Sequence, residues 1–154
     1  MAKRIIFVVL LLVILAAVYG VLQFDQFHGL LLLAIAVLPL ATAILAGFSV
    51  KRMLPDITLG FVDAGLLTIA AGLGAVGFGV SGAIVAAVIA DSLVDILVGK
   101  IDEPLKQWYR KRHIDEVHSK WGHSYAKMIG CFLGTGLMLT IAGAIGISPW
   151  SMFR

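Results

Sequence analysis

From Ile57 to Val98 the chain runs for 42 residues without a Lys or an Arg, and three carboxylates, Asp63, Asp91 and Asp95, interrupt an otherwise apolar, Gly-rich stretch. An apolar helix crosses a bilayer core in roughly 20 residues, so a run of this length predicts two crossings. The cluster Gly77-Phe78-Gly79-Val80-Ser81-Gly82 near its middle supplies the turn between them. Folded back there, the stretch brings Asp63 level with Asp91 and Asp95 on one side of the membrane. One carboxylate deep in a bilayer costs on the order of 3 kcal/mol, so three together must be protonated, hydrated or bound to cations. Asp91 and Asp95 lie four residues apart and share a helix face, with the Ser92 hydroxyl on the neighbouring one. A water-facing helix end tolerates a single acid such as Asp95; the trio reads as a site.

Composition makes the membrane reading general. The chain of 154 residues is 60% hydrophobic and 14% charged, with a mean hydropathy of +1.02. Soluble domains carry about 25% charged residues, so the expectation is an all-α integral membrane protein forming a single transmembrane domain. The longest polar segment, residues 100–127, is too short to bury a core of its own. Cys131, alone in an apolar run, has no partner for an intrachain disulfide and reads as a small packing residue.

Apolar runs predict five spans, at residues 5–24, 29–50, 57–77, 81–99 and 128–147. The first follows Lys3-Arg4 and is read as an uncleaved span, not a signal peptide. Pro39 predicts a kink in the second, and Pro55-Asp56 a start for the third, with Asp56 as its N-cap. Residues 101–126 carry Trp108, Tyr109, Trp121 and Tyr125 near helical spacing and predict an interfacial amphipathic helix. Arg110-Lys111-Arg112 within it suits anionic lipid head groups. His113, His118 and His123 recur in steps of five, which turns them off any common face and argues against a metal site. In the last span Gly130-x-x-x-Gly134 marks a closely packing helix.

Alternating sides from a cytoplasmic N-terminus put 11 of the 12 basic residues inside and only Arg154 outside, so the C-terminus is expected outside. That distribution accounts for the net charge of +3 without nucleic acid as a partner. Asp63, Asp91 and Asp95 then face the cytoplasmic half. Oxygen-only ligation suits hard cations such as Ca²⁺, Na⁺ or Mg²⁺, with Ser92, Thr58 and Thr68 able to complete a shell. No nucleophile–base pair, redox motif or nucleotide-binding loop is present, so no enzyme, catalytic residue or organic cofactor is expected. The sequence reads as a cation transporter, exchanger or channel, with a small accessory or scaffold subunit of a larger membrane complex as the alternative. Gly-rich helices suggest a homodimer. The absence of an Arg- and Ser-rich presequence favours a prokaryotic plasma membrane.

The segments Gly60-Phe61-Val62-Asp63, Asp91 with Asp95, and Ile129-Gly130-Cys131-Phe132-Leu133-Gly134 occur in the order and rough spacing of the transmembrane protein 65 family. The chain resembles that family from about Thr58 to Gly136. The resemblance implies a small membrane protein associated with sodium–calcium exchange, with a cation site on Asp63, Asp91 and Asp95. The chain departs from the family's pattern at Ala64 and Asp91, where the family carries Asn, and the two N-terminal spans have no counterpart.

Overall fold

The computed structural model describes residues 28–145, together with Val8, Val9, Leu12 and Val13. The rest of the expected first span and the chain beyond Ile145, with Trp150 and Arg154, lie outside the described residues. All regular structure among the described residues is helical: α1 (His28–Ile35), α2 (Val37–Leu45), α3 (Val50–Arg110) and α4 (Lys120–Ala144).

The fold is all-α, but it is not five separate spans with an interfacial helix before the last. The expected second span is two short helices, interrupted at Ala36. The break lies one turn before Pro39, whose ring removes the backbone bond to Ile35. The expected third and fourth spans are parts of a single 61-residue element that also absorbs residues 101–110 of the expected amphipathic helix. Residues 120–126 of that segment open α4 instead. Only α3 and α4 are long and apolar enough among the described residues to cross a membrane, judged by length and composition. Gly99 alone does not end a helix, and the pairs Asp102–Lys106 and Glu103–Gln107, each four apart, carry it onward to Arg110.

α2 ends in a Schellman motif, which explains where α3 begins. Gly47 takes a left-handed φ of 80°, the Gly47 N–H donates to Ile44 O at 2.9 Å, and the Phe48 N–H donates to Ala43 O at 3.0 Å. Extended Ser49 follows, and its carbonyl accepts from Arg52 and Met53. Asp56 is therefore not an N-cap. It lies two turns inside α3, with Pro55 in the helix beside it.

α3 is not straight. Phe78 (φ −141°, ψ 16°) and Gly79 (φ 64°, ψ −150°) leave helical geometry, the latter in a region open essentially to Gly alone. A Cβ built on Gly74 would lie 2.6 Å from the Ala86 Cβ, although a straight helix would hold these positions about 18 Å apart. The chain therefore doubles back here, and the Ser81 hydroxyl donates to Phe78 O across the turn at 3.1 Å. A first arm (residues 50–77) and a second arm (residues 80–110) lie side by side. At their open end Thr58 Oγ1 and Tyr109 Oη are hydrogen-bonded at 2.8 Å.

α4 packs along the first arm in parallel, backbone against backbone. Added methyls at Gly60, Gly130 and Gly134 would meet Lys127 O at 2.7 Å, Phe61 N at 2.8 Å and Gly65 N at 3.1 Å respectively. α1 crosses α4 in the opposite sense, with Gly29 against Gly136 and, further on, Phe48 against Gly122. The core lies between these elements and includes Ile35, Ala43, Met53, Tyr125, Ala126 and Ile129. Tyr125, expected at the head-group level, is buried and meets Phe48 with ring centroids 5.8 Å apart.

Candidate functional site

Doubling back decides what the three acids can do. On a straight helix Asp63 and Asp91 would stand about 42 Å apart. In the folded chain the charges acting on Asp63 are those of Lys127, Asp95 and Asp91. Asp63 is half-buried beside α4, whereas Asp91, Ser92 and Asp95 are exposed on the second arm. Ser92 Oγ donates back to Val88 O at 3.4 Å. Thr58 is engaged with Leu54 O and Tyr109, and Thr68 donates to Ala64 O at 2.7 Å and is paired with the Thr135 hydroxyl at 3.2 Å. The trio is in mutual electrostatic reach, but among the described residues no group of three or more His, Cys, Asp or Glu side chains closes on one metal-sized point.

Within residues 57–98 the acids have no basic neighbour, yet the charge of Lys127 on α4 acts on Asp63. A second pairing lies on the same two helices. Asp56 is 2% exposed; its Oδ2 lies 2.9 Å from His123 Nδ1, and its Oδ1 has no hydrogen-bond partner. The signal was present in the spacing. Asp56 and Asp63 are seven apart on one helix, and His123, Lys127, Cys131 and Thr135 recur in steps of four on the other. Reading the histidines only against one another concealed it.

These residues form a polar ladder along the contact of the first arm with α4. His123 meets Asp56, the Lys127 charge acts on Asp63, the charges of both act on Cys131, and Thr135 meets Thr68. Beyond Thr68 the polar groups stop. An apolar cavity of about 260 Å³ follows, lined by Thr68, Leu73, Met138, Leu139 and Ala142 among others.

A charged cluster closes the chain between α3 and α4. Lys106 lies 3.1 Å from Asp102 and 3.2 Å from Glu116, and Arg110 also binds Glu116. The Arg110 hydrogen bond, with help from Lys106 and against the cost of burial, holds the Glu116 carboxyl below the usual range. Arg112 stacks on Trp108, 3.6 Å above the ring centroid. The segment expected to meet lipid head groups thus spends two of its three basic residues, Arg110 and Arg112, on intramolecular contacts.

No family model matches the chain, and neither a curated protein nor a solved structure matches it.

Proposed function

We propose that the chain is a prokaryotic plasma-membrane protein that binds and moves a hard cation, Ca²⁺, Na⁺ or Mg²⁺, at Asp63, Asp91, Asp95 and Ser92. The observation that carries the reading is the grouping around Asp63, on which the charges of Asp91, Asp95 and Lys127 act, three carboxylates against one ammonium, leaving a net negative cluster in an apolar helix hairpin. Carboxylates in this setting gain most from a cation that supplies the missing charge. The resemblance to the transmembrane protein 65 family points to the same chemistry. A second copy meeting the exposed acids of the second arm would complete the coordination shell.

Flux of Ca²⁺, Mg²⁺, Na⁺ and K⁺ into liposomes holding the purified protein tests the reading. At least one cation should enter faster than into empty liposomes, and Asp91→Asn should abolish that flux. Equal rates with and without protein would refute transport.

The exposure of Asp91 and Asp95 supports a second reading, an accessory subunit whose acids pair with basic residues of a partner helix. A stable homo-oligomer that binds cations on its own argues against it.

A further inference from the structure

Phe78 and Gly79 are the only residues inside α3 that leave helical geometry, and a change of angle between the two arms concentrates at such a break. Asp63 stands fifteen residues before Phe78 and Asp95 sixteen after Gly79, so the acids of the two arms reach one level, well away from the turn. Between the Gly74–Gly82 crossing and the Thr58–Tyr109 hydrogen bond, the second arm buries Val94 alone. Val94 belongs to the stretch between Asp91 and Asp95, so the arm touches its neighbour where the acids are. At its foot the arm is held by polar ties: the Thr58–Tyr109 bond at 2.8 Å, and Glu116, which binds Lys106 at 3.2 Å and also binds Arg110. Partly exposed ties of this kind exchange readily with water. A glycine corner at one end, exchangeable ties at the other and like charges between them make an element that swings.

We propose that the second arm is a hinged gate, which pivots at Phe78 and Gly79, is latched at its foot by Tyr109 and Arg110, and closes when a hard cation bridges Asp63 to Asp91 and Asp95. The inference rests on the reading of these acids as a cation site and adds how that site opens and shuts. Without a cation the like charges, only partly offset by Lys127, drive the arms apart and open the cluster toward the foot of the hairpin. With one, the bridge draws the arms together and Val94 seats against the first arm. Asp95 lies roughly 24 Å along the arm from Gly79, so a swing of about 10° moves it about 4 Å. That is well beyond the reach of an oxygen ligand held at about 2.4 Å, so opening the arm and releasing the ion are one event.

Spin labels on the two arms test the gate. In a Cys131→Ala background the full chain carries nitroxides at Arg52→Cys and Gln107→Cys, both exposed positions, and is reconstituted in lipid. Double electron–electron resonance reads the distance between them, with Ca²⁺, Mg²⁺, Na⁺ and K⁺ each compared with choline. Gln107 is roughly 42 Å along the arm from Gly79, so a 10° swing shows as about 7 Å. A cation that enters liposomes should shorten the distance by at least about 5 Å relative to choline. Asp91→Asn with Asp95→Asn, on the exposed face, should give the shorter distance in choline and abolish the response. Thr58→Val with Tyr109→Phe should lengthen the choline distance, and a reference pair on the first arm, Arg52→Cys with Val76→Cys, should stay fixed. Movement of the reference pair as well overturns the gate, because the change is then a general loosening. A cation that is carried while the distance between the arms stays constant also overturns it and leaves the cation site standing. If neutralising the acids draws the arms together but no cation does, the gate's hinge and repulsion stand and the cation reading falls. If neither does, the arms are fixed and there is no gate.

Discussion

The two arms of α3 each carry a long apolar run, and those runs have opposite fates. The first arm is sealed against α4 by glycines, and polar side chains on that contact find polar neighbours across it: Asp56 meets His123, the Lys127 charge acts on Asp63, and Thr68 meets Thr135. The second arm presents Ile84, Val85, Val88, Ile89, Leu93 and Ile96 at the surface, buries Val94, and exposes Asp91 and Asp95. Apolarity alone therefore does not decide which arm enters the core. The difference is made by α4, whose Gly130 and Gly134 fit the first arm. The second arm is held mainly through the first, at the Gly74–Gly82 crossing near the turn and at Thr58–Tyr109 near the open end.

The largest effect should come from disturbing that fit. Gly130→Ala would push a methyl to 2.8 Å from Phe61 N and closer still to Ile57 O. Overpacking against backbone cannot relax by side-chain rotation, so a loss of about 1–3 kcal/mol is expected. Gly99→Ala on the second arm meets nothing within 4 Å and should instead stabilise by about 0.5–1 kcal/mol through helix propensity. Unfolding in detergent, followed by far-ultraviolet circular dichroism, measures both. Equal effects at the two positions would remove the distinction between the arms.

Much of this was legible in the sequence. A turn centred on Gly79 and close packing at Gly130 and Gly134 follow from residue type, since only Gly serves at either kind of position. The helix boundaries were not legible. Pro55-Asp56 has the form of a helix start, but Gly47 and Ser49 had already set α3 going. Gly99-Lys100 resembles a boundary, yet side-chain pairs four apart carry the helix through it. The acid trio was readable because Asp63, Asp91 and Asp95 stand out in an apolar run. Asp56, His123 and Lys127 sit among other charges, so their roles emerge only once α4 lies beside the first arm.

An intermediate effect should separate the acids of the two arms. Asp63→Asn removes a half-buried charge that lies among like charges with only Lys127 to offset it, and should stabilise the fold by about 1 kcal/mol. Asp91→Asn on the exposed second arm should leave stability within about 0.5 kcal/mol or raise it, while flux is lost in both. Denaturation midpoints alongside liposome flux distinguish the cases. Destabilisation by Asp91→Asn would mean that the second arm has a structural ion-pair partner.

A smaller effect should come from the hydrogen bond that joins the arms at their open end. Thr58→Val and Tyr109→Phe each remove one side of it, and a net bond of this kind contributes about 0.5–1.5 kcal/mol. A double-mutant cycle should return a coupling in that range. A coupling near zero would show that this bond adds nothing to the turn and the Glu116 pairing in holding the second arm.

The smallest effect tests the foot of the second arm through pH. Glu116 is held by Arg110 and Lys106, both on that arm, and its carboxyl titrates below the ordinary value of about 4.3. A folded-state value lower than the unfolded one means that the unfolded chain binds the proton more readily. The pairing therefore stabilises the fold fully above the ordinary carboxylate value, and that contribution is lost as the pH falls through the folded one. Partial exposure of these side chains limits it to about 0.5–1 kcal/mol. Since the network fastens the second arm to the segment leading into α4, the loss should be local. Hydrogen exchange of the backbone amides of residues 100–110 should quicken between neutral pH and pH ~3.5, after correction for intrinsic rates, while the first arm around Gly60 keeps its protection. Glu116→Gln should quicken the same amides at neutral pH and remove most of their further change on acidification. Loosening spread evenly over both arms would mean that the arms melt as one unit and that the contrast between them is confined to packing.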